Sequence, residues 1–206
     1  MSKKAKGYGG RVIVMTGDGE LQEGQIWESL QTAVHQKVNN LTVIVDFNKF
    51  QSDKAIKHII DLGDVQSKFK VFGWHVERCD GHDFGALLHV FAKFKGITDK
   101  PKVLIADTIK GKGVSFMEGP TELPNEKFLY KWHAGAPDDD SFEAGYRELV
   151  QSINNRFQNL GLEALSSEVM ETREKHRVRL KDTAEKVVTA YGEALVKIGF
   201  EGTIWW

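Results

Sequence analysis

The sequence has little of what would mark a secreted, membrane-bound or nucleic-acid-binding protein. It contains one cysteine, Cys79, among 206 residues, which excludes an internal disulfide framework and indicates a reducing compartment such as the cytoplasm. No apolar stretch approaches the roughly 20 residues that span a bilayer, and residues 1–10 lack the apolar segment of a secretory signal. The formal net charge is -1, so neither a nucleic acid nor a membrane is expected as a partner.

What is present is an alternation of short apolar runs and helical patterns, in a chain long enough for one or two domains. Arg11–Met15 and Leu41–Val45 are rich in β-branched residues without polar alternation. This pattern predicts strands buried on both faces of a parallel sheet. Between them, apolar residues recur at helical intervals as far as Gln36. A strand, a helix and a parallel strand in this order require a right-handed crossover.

The same alternation continues along the chain. Val65–Phe72 has a helical pattern, and Trp74–Arg78 and Lys102–Asp107 are predicted strands. Asp80–Asp83 is predicted to be a turn and N-cap that leads into another helix, which leaves no separate role for its histidine, His82. We therefore predict an α/β fold, namely a partial doubly wound parallel sheet with helices on both faces.

Polar residues follow the first two predicted strands. Gly17-Asp18-Gly19 ends the first, and Asn48 follows the second. Ligands of open α/β sheets bind at the carboxyl ends of the strands, and Mg²⁺ prefers oxygen ligands such as carboxylates and amides. Gly17 and Gly19 are expected to adopt unusual dihedral angles and to let a phosphate approach the backbone, beside the N-terminus of a helix. Each motif alone is also compatible with a plain turn, but together they predict a metal–diphosphate site.

The stretch GDGELQEGQIWESLQTA, continued by NNLTVIVDFNKFQSD, resembles the cofactor motif of the transketolase family throughout its length. The resemblance implies thiamine diphosphate as the cofactor, together with Mg²⁺ or Ca²⁺. It implies that Asp18, Asn48 and the backbone carbonyl of Phe50 are metal ligands. Gly19, with Gly17 beside it, would contact the diphosphate.

Other segments extend the resemblance. Glu23 and Glu28 match family glutamates near a dimer interface, although each is also compatible with an exposed helix charge. Lys110 begins a KGKGVSFM segment that implies contact with a phosphate, with a solvated loop charge as the alternative. His133, within WHAGAP, is implied to reach the diphosphate and the donor sugar, and it is the candidate catalytic residue. The lone Cys79 is expected to be structural rather than nucleophilic.

The resemblance also implies a domain organisation. Residues 1–137 would form part of the pyrophosphate-binding domain, residues 138–181 a helical linker, and residues 182–206 the first elements of a pyrimidine-binding domain. The family glutamate that activates the cofactor belongs to that last domain and has no counterpart here. We expect either a fragment or a short subunit that needs partner chains, with the abrupt end GFEGTIWW favouring truncation.

The implied activity is transfer of a two-carbon ketol unit between phosphosugars, in a homodimer or with a complementary subunit, and weak or absent in this chain alone. Three alternatives remain open from the sequence. One is a related enzyme with the same cofactor, such as a deoxyxylulose-phosphate synthase or a dehydrogenase component. The second is a non-catalytic fragment that binds the cofactor or another protein. The third is a phosphate-binding α/β protein of another family.

Overall fold

The computed structural model describes residues 6–165, which are built around a four-stranded parallel sheet. Its strands, in chain order, are β1 (Val12–Gly17), β2 (Leu41–Phe47), β5 (His75–Asp80) and β6 (Lys102–Asp107). They lie side by side in the order β1-β2-β6-β5, and all three pairings are parallel. The parallel α/β architecture predicted from the sequence is confirmed.

The strand register brings the polar strand ends together. Gly17 of β1 lies opposite Asp46 of β2, and Asp46 lies opposite Ala106 of β6. The residues that follow β1, β2 and β6 therefore meet at one edge of the sheet, the carboxyl edge. Asp18 leaves β1 at this edge, and Asn48 leaves β2 there.

Four helices accompany the sheet within the described residues: α1 (Gly24–His35), α2 (Val65–Val71), α3 (Phe84–Lys95) and α4 (Asp139–Asn159). Three of them begin at an aspartate whose carboxylate accepts hydrogen bonds from backbone N–H groups of the first turn, as an N-cap does. These N-cap residues are Asp64, Asp83 and Asp138. The predicted cap within Asp80–Asp83 is thus confirmed at Asp83.

The core forms two layers, one on each face of the sheet. Val103 and Ile105 of β6 pack into the larger layer, with residues of α1 and α2. Leu104 and Ala106, which alternate with them along the strand, pack into the second layer against α3. Because successive residues of a strand point to opposite faces, the four central positions of β6, residues 103–106, must all be apolar. The prediction of helices on both faces is confirmed.

The prediction that the first strand is buried on both faces is wrong. Within residues 6–165, β1 pairs only with β2 and forms an edge of the sheet. Its apolar side chains, Val12, Ile13, Val14 and Met15, are 36–69% exposed. A continuous apolar run has the same appearance in an edge strand and in a central strand, so composition did not distinguish the two.

A small antiparallel hairpin follows β2, formed by β3 (Phe50–Gln51) and β4 (Lys54–Ala55). Its buried face packs against Tyr130, with Phe128 and Trp132 at the margin. The main-chain N–H of Tyr130 also donates to the carbonyl of Asp53 in the hairpin turn, at 2.6 Å. The hairpin therefore attaches the loop after β6 to the strand ends of the sheet.

Residues 115–117 form a short 3₁₀ turn against α4. Glu148 of α4 accepts hydrogen bonds from the main-chain N–H and the hydroxyl of Ser115, at 2.8 and 3.0 Å.

The linker that was predicted to be helical from residue 138 is helical from Asp139 to Asn159. Residues 166–206 lie outside the described part of the chain. The domain boundaries remain predictions. No helix among the described residues is long and apolar enough to cross a membrane.

Candidate functional site at the carboxyl edge of the sheet

Asp18 is the most buried charged residue of the carboxyl edge, with only 1% of its surface exposed. The main-chain N–H of Lys49 donates to its Oδ2, whereas Oδ1 is buried without a hydrogen-bond partner among the described residues. Burial raises the pKa of Asp18 to about 6, and the neighbouring Asp46 adds to this effect, against the opposing backbone N–H groups of Lys49 and Gly19. A buried carboxylate oxygen without a partner is costly unless a ligand completes it.

Asn48 lies near Asp18, because the next residue, Lys49, donates its main-chain N–H to the Asp18 carboxylate. Its Oδ1 accepts a hydrogen bond from the main-chain N–H of Phe50, at 2.9 Å. Its Nδ2 donates to Oδ2 of Asp46, at 3.3 Å. The amide oxygen can accept a second interaction, because a carbonyl oxygen has two lone pairs. The ends of the first two strands therefore bring Asp18 and Asn48 together, as predicted. Phe50 follows two residues after Asn48, and its N–H is bonded to the Asn48 amide oxygen.

The backbone at Lys49 is what allows Asp18 and Asn48 to meet. Lys49 has φ of 69°, in the left-handed region that a residue with a side chain rarely adopts. This conformation accompanies the hydrogen bond from its N–H to Asp18 and the one that its carbonyl accepts from Ile56, at 2.9 Å. Nothing in the sequence pointed to this bend, because no glycine marks it.

The predicted dihedral angles of Gly17 and Gly19 are wrong, because neither has φ in the left-handed region. The N–H of Gly17 donates to Oε2 of Glu20 at 2.7 Å, so this donor already has a partner. Gly19 is needed for space, because a Cβ there would lie 3.0 Å from Cγ of Gln51. The first turn after Asp18 is a 3₁₀ turn at residues 19–22, and α1 begins only at Gly24.

Gln51 is a site residue that sequence analysis missed. Its Oε1 is buried without a hydrogen-bond partner among residues 6–165, and its side chain packs against Gly19. In the described part of the chain, the carboxyl edge thus has two buried side-chain oxygens without hydrogen-bond partners, one on Asp18 and one on Gln51. Its position directly after Phe50 in the motif was the only available signal.

Lys110 and His133, which are distant in sequence, meet at this edge. Nζ of Lys110 lies 3.2 Å from Nδ1 of His133 and 5.3 Å from the ring centre of Tyr130. Burial lowers the pKa of Lys110, while the charges of Asp18, Asp46 and Asp53 act in the opposite direction. The lysine is therefore a cation placed near acidic groups, and a phosphate could also interact with it.

Four other residues singled out in the sequence lie outside the group formed by Asp18, Asn48, Lys110 and His133. Glu23 and Glu28 are exposed on the turn before α1 and on α1 itself, and their interface role remains a prediction. His82 has a role that the turn prediction omitted, since its Nε2 accepts a hydrogen bond from the N–H of Ile109 at 2.8 Å. Burial raises the pKa of the Cys79 thiol, so the structure gives it no activation as a nucleophile.

The chemistry of the carboxyl edge fits a hard divalent cation beside a diphosphate. Within residues 6–165, no three His, Cys, Asp or Glu side chains converge as a metal cluster, so a cation would need amide and main-chain oxygens beside Asp18. Asn48 and Phe50 offer such oxygens, and mixed oxygen sets shared with phosphates are typical of Mg²⁺. Such a cation would bind the Oδ1 of Asp18, which has no hydrogen-bond partner among the described residues.

A comparison with protein families decides the assignment. Residues 6–124 match the model of the transketolase thiamine diphosphate-binding domain. This chain belongs to the transketolase family. The matched segment includes the whole sheet, the hairpin and Lys110, and ends before His133.

Individual transketolases agree with this assignment. The chain is 32% identical to an apulose-4-phosphate transketolase subunit from Phocaeicola vulgatus over 143 residues, which are 69% of this chain and 48% of that protein. It is 32% identical to human transketolase over 197 residues, 92% of this chain and 29% of that protein. The chain thus spans about half the length of the bacterial protein and less than a third of the human enzyme.

Solved transketolase structures share the fold. The enzyme from Campylobacter jejuni superposes with a TM-score of 0.51 and 28% identity, over 54% of this chain and 17% of that one. A transketolase from Pichia stipitis gives a TM-score of 0.51 at 22% identity, covering 74% of this chain and 25% of that one. The expected transketolase resemblance is confirmed, and with it the family's thiamine diphosphate-binding domain.

Proposed function

We propose that this chain provides the diphosphate-binding half of a transketolase site that depends on thiamine diphosphate and a divalent cation. The observation that supports this most directly is the buried carboxylate of Asp18. One of its oxygens has no partner among the described residues, and it lies inside the segment that matches the thiamine diphosphate-binding family. A cation at this oxygen would offset the burial that raises the pKa of Asp18.

In this proposal, Asp18, Asn48 and the main-chain carbonyl of Phe50 bind Mg²⁺, or Ca²⁺ in its place. All are oxygen ligands, which both ions prefer. Gly19, with Gly17 beside it, would contact the diphosphate. Thiamine diphosphate, when bound, supplies the carbanion chemistry of the reaction.

Lys110 and His133 would act at the other side of the diphosphate. Lys110 brings a positive charge to the carboxyl edge, and His133 lies next to it at 3.2 Å. We assign Lys110 to a phosphate oxygen and His133 to the diphosphate and the donor sugar, where a protonated or neutral imidazole can donate a hydrogen bond. His133 is the candidate catalytic residue of this chain.

The proposed reaction is transfer of a two-carbon ketol unit between phosphosugars in the cytoplasm. The chain covers 48% of a relative whose name describes it as one subunit of a transketolase, so we propose that a second polypeptide, or a second copy in a longer dimeric enzyme, completes the site. Glu23 and Glu28 would lie near that interface. The chain alone is expected to have weak or no activity.

Calorimetric titration of the 206-residue chain with thiamine diphosphate in the presence of Mg²⁺ tests the proposal. We expect binding by the wild type and a loss of roughly 100-fold or more in Asp18→Ala and Asn48→Ala, because each removes a proposed ligand of the ion. Asp99→Asn is the matched control, since Asp99 is an exposed aspartate whose ion pair is with the neighbouring Lys100. Equal binding by Asp18→Ala and the wild type would contradict the proposed ion site.

The alternative that the chain is a non-catalytic cofactor-binding fragment is favoured by its partial coverage of the relatives. Addition of a complementary subunit to the chain, followed by assay with a panel of phosphosugar donors, distinguishes the two. Turnover that disappears in His133→Ala supports the transferase. Cofactor binding without turnover by any combination supports the fragment, and turnover of pyruvate instead of phosphosugars supports a related synthase.

A further inference from the structure

Asp46 is held at both of its carboxylate oxygens. The hydroxyl of Thr108 donates to Oδ1, and Nδ2 of Asn48 donates to Oδ2 at 3.3 Å. Thr108 comes directly after β6, and its main-chain N–H also donates to the carbonyl of Phe47, at 3.3 Å. The Asp46–Thr108 contact therefore exists only because β2 and β6 are neighbours in the sheet.

This arrangement distinguishes the two ends of the Asn48 amide. Nδ2 faces the carboxylate of Asp46, and Oδ1 accepts from the N–H of Phe50 at 2.9 Å. A flipped amide would place its oxygen against a carboxylate and its NH₂ group against an N–H donor. Both contacts would be repulsive, because an ionised carboxylate only accepts and a backbone N–H only donates. Asp46 and Phe50 thus fix the same orientation from opposite ends.

We propose that Asp46, held in place by Thr108, is a positioning residue that keeps the oxygen of Asn48 available to the divalent cation. This inference rests on the proposed function, in which Asn48 is a ligand of the ion. Partners that orient a ligand are typically needed nearly as much as the ligand itself. Asp46 also adds a negative charge next to Asp18, which favours a cation at the carboxyl edge.

Asp46→Asn tests the orientation with little change in volume. The new carboxamide can still accept from Thr108 through its oxygen, and its NH₂ group then faces the NH₂ group of Asn48. Because the Thr108 hydroxyl can also accept a hydrogen bond, either orientation of the new carboxamide is possible, and we expect Asn48 to lose its fixed orientation. Titration of thiamine diphosphate with Mg²⁺ should then show weakened affinity, by roughly 10- to 100-fold where the orientation is lost completely, as in Asp46→Ala. Thr108→Val, which frees one oxygen of Asp46, should weaken it less.

The exchange of the two side chains provides the decisive control. In Asp46→Asn combined with Asn48→Asp, the carboxamide at position 46 donates to the carboxylate at position 48, and net charge and composition are unchanged. The hydrogen bond is restored with reversed polarity, and an oxygen again faces the cation. We expect the double variant to regain most of the affinity lost in Asp46→Asn. If Asp46 only supported folding, the double variant would not regain affinity when its thermal stability equals that of Asp46→Asn.

The side-chain amide signals of Asn48 give a readout that does not require cofactor. In ¹⁵N-edited NMR spectra of the wild type, its NH₂ protons should be shifted and protected by the Asp46 carboxylate, and Asp46→Ala should abolish this. If the wild type, Asp46→Asn and Asp46→Ala all bind thiamine diphosphate and Mg²⁺ equally well, the positioning role is wrong while the proposed function stands. If the wild type binds neither, the proposed function is wrong and the cation role of Asp46 is overturned with it.

Discussion

Two charged side chains are buried at opposite ends of the same sheet, and they are treated differently. Asp18, at the carboxyl edge, is 1% exposed, and Lys102, at the start of β6 and the amino edge, is 6% exposed. Burial shifts the pKa of both towards the neutral form, upward for Asp18 and downward for Lys102. The extent of burial alone therefore does not distinguish Asp18 from Lys102.

The difference lies in the hydrogen-bond partners. The ammonium group of Lys102 donates to the carbonyl of Asn39 and, at 3.0 Å, to the carbonyl of Ile97. It thereby joins the loops before β2 and β6. Asp18 accepts a hydrogen bond from the main-chain N–H of Lys49 on Oδ2, and its other oxygen has no hydrogen-bond partner among residues 6–165. We infer that Lys102 stabilises the fold by itself, whereas Asp18 reaches full stability only when a ligand is bound.

The largest expected effect comes from Lys102→Met, which keeps the length of the side chain but removes its donors. Two carbonyls would lose a charged partner, so we expect the free energy of unfolding to fall by about 3 kcal/mol. Urea unfolding measures this, with and without thiamine diphosphate and Mg²⁺. Lys100→Met is the control, because its ion pair with Asp99 is exposed and such pairs contribute about 0–1 kcal/mol. Equal effects of the two variants would contradict the structural role of Lys102.

In the absence of ligand, Asp18→Asn should have the opposite effect and raise the free energy of unfolding. The amide can still accept from Lys49, and it removes a charge whose burial raises its pKa to about 6. We expect the metal-free protein at about pH 7.5 to gain about 2 kcal/mol of unfolding free energy. With Mg²⁺ and thiamine diphosphate the order should reverse, because only the wild type gains binding energy. A loss of stability in both conditions would place Asp18 in the same class as Lys102.

The free energy of unfolding of the metal-free protein should depend on pH through the ionisation of Asp18. The pKa of Asp18 is raised from 3.8 when unfolded to about 6 when folded, so the folded state binds more protons between these values. Its contribution to stability is complete below about pH 4 and is lost as the pH rises through 6. The wild type should thus lose stability relative to Asp18→Asn across this window. Parallel pH profiles of the two proteins would contradict the shift.

The smallest effect is expected at Lys49, whose main-chain N–H donates to Oδ2 of Asp18. Lys49→Gly keeps the N–H and suits the left-handed φ of 69°, but glycine has more freedom in the unfolded chain. These terms oppose each other, at about 1 kcal/mol each, so stability should change little. Lys49→Ala keeps the strain and is the matched comparison. A large loss in Lys49→Gly would show that the lysine side chain itself supports the site.

The parts of the fold that depend on periodicity and turn chemistry were predictable. Apolar runs located the four strands, and a capping aspartate such as Asp83 located the start of a helix. The placement of Asp18 and Asn48 followed from the rule that parallel strands end together. The order of the strands was not predictable, because periodicity contains no information on which strands pair. The contact between Asp46 and Thr108 depends on that order.

Other features of the site were hidden for local reasons. The hairpin at Phe50–Gln51 has strands of two residues, which are too short for any alternation to appear. The bend at Lys49 occurs without glycine, so no residue type signalled it. The burial of Lys102 was unexpected because lysine is rarely buried, and its partners are carbonyl groups that every sequence contains.

The exposed edge of β1 has a consequence for how the chain behaves in solution. Its outer backbone groups have no strand beside them within residues 6–165, and its four apolar side chains face solvent. An open, apolar edge is a template for the strand of another molecule. Preparations of the isolated chain should therefore associate as their concentration rises, and light scattering should grow accordingly. A lysine introduced at Met15, the most exposed of these four side chains, is expected to keep such preparations monomeric.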